Sequence, residues 1–209
     1  MNYQTDINEM LFECYEVPSV LTGIDALFSH YYQQEEVKNC CIISIGHHSS
    51  HILPIVKGCL SISNASRINL GGFNLSLYLQ RILQLKHPLM SQKFTFIKCE
   101  QIIQKYAKFA YDYRQEVLEW SCEDYYNQNG IDIKLEPEEV VGKEGENEVK
   151  RLKKPNGLSS IKLGSELIRV PELLFSPQAL IAFDQCGVSE ALSNVIKKMN
   201  DNKYFEVVY

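Results

Sequence analysis

The chain has 209 residues, 45% hydrophobic and 22% charged, with a formal net charge of −5. Those are the proportions of an ordinary soluble globular protein, long enough for one or two domains with a real core. The charge balance excludes an overall basic field that would draw the chain onto nucleic acid or a membrane surface. Seven cysteines, an odd number without a regular framework or a paired CxxC pattern, fit a reducing compartment rather than a disulfide scaffold or a zinc module. The opening MNYQTDINEMLF has no basic region leading into an apolar core, so no signal peptide is expected. No apolar run approaches ~18 residues, so no membrane-spanning helix is expected either.

In chain order, residues 7–13 read as the end of a helix that Pro18 stops, and residues 20–22 as a short strand. Asp25 is a candidate N-cap for a helix over 26–33, and 35–39 is a polar loop. Cys40-Cys41-Ile42-Ile43 is a continuous apolar run, as expected of a strand buried on both faces. Gly46 marks a turn with the polar tip His47-His48-Ser49-Ser50. The strand resumes over 51–56, where Pro54 favours an edge or bulge position. Lys57-Gly58 turns the chain again, and 64–69 is a further strand ended by Gly71-Gly72. Leu75, Leu79, Ile82 and Leu83 recur at helical spacing, and the helix closes before Pro88. Helices are expected over 99–106 and 112–120, with Tyr106, Phe109, Tyr111 and Tyr113 reading as a Tyr-rich helix whose aromatic face packs a core or a partner.

Residues 136–154 are almost all charge and Gly, acids first and bases after, and cannot bury enough apolar surface to fold alone. They read as a flexible insertion. Beyond it, 161–163 and 167–169 suggest a hairpin around Gly164-Ser165. Pro171 and Pro177 each open a helical turn, and a helix over 189–199 has Ser189 as its N-cap. The cysteines are scattered, four of them in apolar surroundings, and read as buried structural thiols rather than nucleophiles. The three imidazoles of His47-His48-x-x-His51 could bind Zn²⁺. Against that, adjacent side chains on an extended segment point to opposite faces, and no carboxylate or thiol stands at a supporting spacing. No metal site is therefore assigned.

SIGHHSSHILPI resembles the second phosphate loop of the actin family, of form D-S-G-D-G-x-T-H-x-x-P-I, with Gly46, His51 and Pro54-Ile55 matching. RINLGGFNLSLYLQRIL is similar to the segment that follows that loop. LFECYEVPSVLTGIDALFSHY is similar to the one before it. IRVPELLFSPQALIAFDQCGVSEALSNVIKK resembles the family's R-x-P-E-x-L-F-x-P run. The matches are collinear over most of the chain. The resemblance implies an α/β fold of the actin/sugar-kinase/Hsp70 type, mainly its second lobe with a helical subdomain. Residues 1–72 and 161–209 would form the α/β core, 73–135 the helical subdomain and 136–160 the charged insertion. The first phosphate loop and the later Gly-Gly segment of the family are not in the sequence, so the chain is expected to be part of a longer protein.

The resemblance places degenerate nucleotide-binding positions at Ser44, Gly46, His47, His51, Gly71, Gly72 and Gln104. Ser44 and His47 stand where the family has the two Asp residues that organise Mg²⁺ and its waters. A hydroxyl is a weak partner for that ion and an imidazole a worse one. His48 replaces a small Gly, whose lack of a Cβ lets the backbone approach closely. Asp25 replaces the Gln that faces the attacking water, Ile103-Gln104 the Lys-Glu pair beside the adenosine, and Phe73 an Arg. The expectation is a retained fold without ATP hydrolysis and with no required cofactor, ATP being a ligand the full-length protein could hold.

Within the family, GHHSSHILPI, RINLGG with LQRILQLKHP, and WSCEDYYNQN carry a finer resemblance to actin-related subunits of Ino-type chromatin-remodelling complexes. The function implied is support of nucleosome engagement and sliding, with roles in DNA repair and transcription regulation. The implied partners are the other subunits of such a complex and, through it, the nucleosome; no membrane partner is implied. The implied location is the nucleus. Lys150, Arg151, Lys153 and Lys154 form a basic run suited to nuclear import, which could instead be a solvated charge run. Two other readings remain open: an actin-type ATP-binding protein or ATPase, and a cytoskeletal interaction protein.

Overall fold

A computed structural model describes residues 3–32, 39–135, 160–178 and 184–201. Helix α1 (Tyr3–Glu9) widens into a π-helical turn at Met10–Cys14 before Pro18. The strand expected at 20–22 is not formed: Leu21 is 89% exposed and no strand pairs with it. Helix α2 (Asp25–Tyr32) begins one residue earlier than expected: the Ile24 carbonyl accepts the Leu27 and Phe28 amides, and Asp25 falls in the first turn, its carboxylate accepting the Ala26 amide at 2.8 Å. Ala26 is the single buried residue among 3–32.

Strands β1 (Cys40–Ile45), β2 (Ser50–Val56), β3 (Cys59–Leu60) and β4 (Ser66–Ile68) form one antiparallel sheet. β2 is its centre, pairing with β1 on one side and with β3 and β4 on the other. The expectation of a fully buried first strand is corrected: β1 has no second neighbour among the described residues, and Ile43 and Ile45 are 41% and 49% exposed. β2 is the strand buried on both faces, with Ser50, Ile52, Leu53 and Ile55 inside. Pro54 therefore sits in the central strand rather than at an edge. It is tolerated because its side of the ladder is broken there. β4 pairs with residues 50–52 and β3 with 55–56, so no strand residue faces Pro54 on that side. Its carbonyl takes the Ser61 amide at 2.9 Å instead. Lys57 and Gly58 both have positive φ, 51° and 78°, the backbone of a two-residue hairpin turn whose twist matches its strands. The strand expected over 64–69 is shorter, because Ile62–Asn64 forms a 3-10 turn first.

Helix α3 (Gly72–Lys86) lays Leu75, Leu79 and Leu83 into the core. After a 3-10 turn at Pro88–Lys93, α4 (Phe96–Tyr106) packs against α3 through Cys99 and Ile102, with Thr95 as its cap. Asp112 caps α5 (Tyr113–Trp120), accepting the Gln115 amide at 3.1 Å. The Tyr-rich helix is corrected: residues 107–112 are not helical, so Tyr106 ends α4 and Tyr113 begins α5. Helix α6 (Glu123–Asn129) follows.

The hairpin expected at 161–169 is also corrected. Strand β5 (Ile131–Lys134) pairs antiparallel with β6 (Ser160–Leu163), and Leu167–Arg169 lies in helix α7 (Glu166–Glu172). Glu166 explains the switch. Its carboxylate takes the Gly164 amide at 2.8 Å and pairs with Lys86 from α3, turning the chain straight into a helix. Pro171 lies inside α7 rather than opening it. A proline has no N–H for the carbonyl four residues back, that of Leu167. That carbonyl accepts the Lys108 amide at 3.2 Å, which ties the α4–α5 connection to α7.

Helix α8 (Val188–Asp201), the last among the described residues, begins one residue earlier than expected. Gly187, whose carbonyl accepts the Ala191 amide, holds the cap position, and Ser189 falls in the first turn. A Cβ at Gly187 would lie 1.9 Å from the Phe175 carbonyl oxygen, so only glycine fits there. Val188, Ala191, Val195 and Met199 face inward from α8, and one contiguous apolar cluster joins them to α3, α4, α7, β5 and β6. The cysteine expectation is corrected as well: all seven are free thiols, Cys99 is buried, and Cys14, Cys59 and Cys122 are exposed. Burial pushes the Cys99 thiol up to about 11. Among the described residues no helix is long and apolar enough to cross a membrane. The charged stretch 136–154, with Lys150, Arg151, Lys153 and Lys154, lies outside the described residues.

Candidate functional site

The turn between β1 and β2 is fastened to the start of α3 at three points. The Gly72 amide donates to the Gly46 carbonyl at 3.1 Å, and the Phe73 amide to the His47 carbonyl at 2.7 Å. The buried Ser50 hydroxyl donates to the Leu70 carbonyl at 2.7 Å. The Asn74 side chain reaches back to the Gly71 amide at 3.2 Å. Gly71 is required by close approach. Any Cβ there would stand 2.5 Å from the Gly46 carbonyl oxygen and 2.6 Å from that of His47. Two of the amides that a helix start leaves free are thus already used by the turn, rather than open to an anion.

The polar tip carries an aromatic cluster. The rings of His47 and His48 meet edge to face, 4.7 Å between centroids and 84° between planes. The expectation that they point to opposite faces fails because residues 47 and 48 lie in a bend, not a strand. Phe73, from the first turn of α3, lies 5.8 Å from His47 and 5.3 Å from His48. Phe96, from the first turn of α4, lies 5.2 Å from Phe73 and 6.1 Å from His47. One turn further along α4, Glu100 sets a carboxylate oxygen 3.8 Å from His47 Nδ1. Residues 96, 100 and 104 share one stripe of that helix, so Gln104 continues the face that carries Phe96 and Glu100, and it is exposed.

The sequence-derived residues divide as follows. Gly46, His47, Gly71 and Gly72 come together at the turn. Ser44 and His51 stand opposite each other across β1 and β2, at the strand end of the same turn. Gln104 belongs to the α4 wall. Phe96 and Glu100 were not anticipated as members. The signal available for them was the i, i+4 spacing of Phe96, Glu100 and Gln104 on a helix whose neighbour carries Phe73.

The residues present do not fit hydrated Mg²⁺, which needs carboxylate oxygens around a near-octahedral shell. Ser44 and His47 supply none, and Glu100 reaches the turn from α4 against an imidazole. Among the described residues no group of three or more His, Cys, Asp and Glu side chains converges. What the arrangement offers is a corner of imidazole and phenyl rings with a single carboxylate beside it.

Comparison with known proteins agrees with this architecture. The family model for actin matches residues 1–202. Human actin-related protein 5 is 44% identical over 125 residues, covering 59% of this chain and 21% of that protein. Drosophila melanogaster actin-related protein 5 is 36% identical over 132 residues, 62% of this chain and 20% of that protein. Drosophila melanogaster actin-related protein 6 is 28% identical over 205 residues, covering 90% of this chain and 49% of that protein. The chain spans about a fifth of the length of the actin-related protein 5 sequences it matches. Matched by the actin model over nearly its whole length, and built around the turn and helix start that carry the resemblance, this chain belongs to the actin family.

Proposed function

We propose that the chain is a non-catalytic actin-related subunit of a chromatin-remodelling complex, where it supports nucleosome engagement and sliding while a separate motor subunit hydrolyses ATP. One observation carries the non-catalytic part. Where the resemblance calls for acidic partners of Mg²⁺, this turn has Ser44 and His47, and His47 packs against His48, Phe73 and Phe96. The similarity to actin-related protein 5 sequences supports the assignment within the family. Partners are then the other subunits of the complex, with the nucleosome reached through them. The location is the nucleus, with import through Lys150, Arg151, Lys153 and Lys154 or by carriage with partner subunits.

The test is affinity purification of the tagged full chain from nuclei, followed by mass spectrometry and a mononucleosome shift assay. The expected result is co-purification of a remodeller motor ATPase and its subunits, with nucleosome binding in the eluate. Recovery with filamentous actin instead would overturn the reading. So would phosphate release above a no-protein control that disappears in a Ser44→Ala, His47→Ala variant.

A further inference from the structure

We propose that the ring corner at the β1–β2 turn binds a methylated ammonium group, presented as a methylated lysine on an extended peptide. The inference rests on the reading above only in its choice of a protein tail as the source. Its physical basis is independent of that reading. The rings of His48, Phe73 and Phe96 lean on one another in sequence, with adjacent planes tilted by 42° and 40°. The ring of His47 stands nearly upright against His48 and Phe96, at 84° and 83°. The four rings thus form one aromatic cluster at the turn, with His47 set across the others. His47 and His48 are exposed, and Phe73 and Phe96 are half-buried, so the corner opens to solvent.

Aromatic faces attract cations through their quadrupole, and methylation favours such a site because a methylated ammonium gives up less hydration than a bare one. Glu100 adds the formal negative charge a cation needs, 3.8 Å from His47 Nδ1 and on the same side of α4 as Phe96. The helix starts that deliver Phe73 and Phe96 would ordinarily repel a cation. At α3 the Gly72 and Phe73 amides donate to the turn carbonyls, and at α4 the Lys98 amide donates to the Thr95 hydroxyl at 3.4 Å, which leaves the side chains to set the preference for charge. The site thus inverts the chemistry of a phosphate turn. The amides at the start of α3 are used internally, and the side chains favour positive charge.

The test uses the purified full chain and four probes: tetramethylammonium chloride, a fluorescein-labelled peptide with one trimethyl-lysine, the same peptide with unmodified lysine, and one with the uncharged tert-butyl analogue of trimethyl-lysine. Tetramethylammonium is followed by NMR shift perturbation and the peptides by fluorescence anisotropy. The trimethyl-lysine peptide is expected to bind at least about 10-fold more tightly than the unmodified and uncharged ones, with shifts at Phe73, Phe96 and Glu100 from tetramethylammonium. Glu100→Gln, an exchange at a partly exposed residue that leaves folding intact, should weaken trimethyl-lysine binding about 3- to 10-fold. Phe96→Leu keeps apolar volume while removing a π face, and should weaken it about 10-fold. Equal binding of the uncharged analogue makes the corner a plain apolar patch and overturns the proposal. So does absence of trimethyl-lysine binding, or binding of inorganic phosphate at the same residues. Tetramethylammonium binding without preference for the methylated peptide overturns the peptide source. Loss of remodeller co-purification with peptide binding intact would sink the functional reading alone, and the reverse pattern would sink this one alone.

Discussion

The segment 3–32 and the centre built from β2 and α3 are both rich in apolar side chains, yet they end in opposite surroundings. In the first, Tyr3, Ile7, Met10, Phe12, Phe28, Tyr31 and Tyr32 are all exposed, Tyr32 by 86%. In the second, Ile52, Ile55, Leu79 and Leu83 are fully buried. The difference is one of partners. β2 is flanked by strands on both edges and by α8, whereas α1 packs mainly against its own continuation. Apolar content sets what a segment can bury, and only neighbouring elements decide whether it does. Stability should therefore reside in the second region, while the first presents surface for association.

The largest effect that would break this contrast is a cavity in the centre. Leu79→Ala should cost about 2–5 kcal/mol in urea unfolding, because the surroundings of a fully buried leucine relax only partly into the space it leaves. A loss under ~1 kcal/mol would mean the centre is loosely packed. Next, Gly71→Ala should cost about 1–3 kcal/mol by driving a methyl into the Gly46 and His47 carbonyls. Its amide-exchange signature should be local, with faster exchange at Gly72 and Phe73 as their turn bonds break. Lys86→Ala, about 1–3 kcal/mol, comes third. It strips the partner from Glu166, which is 4% exposed, while Lys86 itself is 39% exposed and its share is screened by solvent.

Acidity sharpens the same point. Burial pushes the Glu166 carboxyl up, but the Lys86 hydrogen bond and the Gly164 amide outweigh it and leave it below the ordinary 4.5. Its contribution is fully present above that value and is lost as pH falls through the lower, folded-state one. Burial, then the neighbouring Lys86 charge, lowers His87 from the ordinary 6.5, partly opposed by Glu166. Protonating His87 therefore favours the unfolded chain as pH drops below 6.5. Tm should fall from pH 7 to pH 4, and the fall below pH 4.5 should shrink in Glu166→Gln. An unchanged profile in that variant would remove Glu166 from the account. The smallest expected effect is in the N-terminal segment. Phe28→Ser and Tyr32→Ser should each shift stability by less than ~0.5 kcal/mol while reducing self-association in light scattering. A loss comparable to Leu79→Ala would show that this segment is part of the core after all.

The parts of the fold visible in the sequence were those with short-range causes. The 3.6-residue recurrence from Leu75 to Leu83 locates α3, Lys57-Gly58 locates a hairpin, and Asp112 locates a helix cap. Other failures depended on contacts far apart in the chain. Leu167–Arg169 has the apolar pattern of a short strand and becomes helix because Lys86 reaches Glu166 across 80 positions. Pro54 looks like an edge residue and sits mid-sheet because β3 and β4 leave a gap beside it. The turn residues of the candidate site were legible through family resemblance. Phe96 and Glu100 were not, since they reach the site only through the packing of α4 on α3.

The β5–β6 ribbon sets Lys134 directly opposite Ser160. Residues 134 and 160 are therefore held side by side, however many residues separate them in the chain. The closure entropy of such an excursion rises only with the logarithm of its length, about 0.6 kcal/mol for each doubling. With both ends fixed by the ladder, length between them can be gained or shed at a small entropic cost. Descendants of a common ancestor could differ by tens of residues here and keep the same α7, the same Glu166–Lys86 link and the same core.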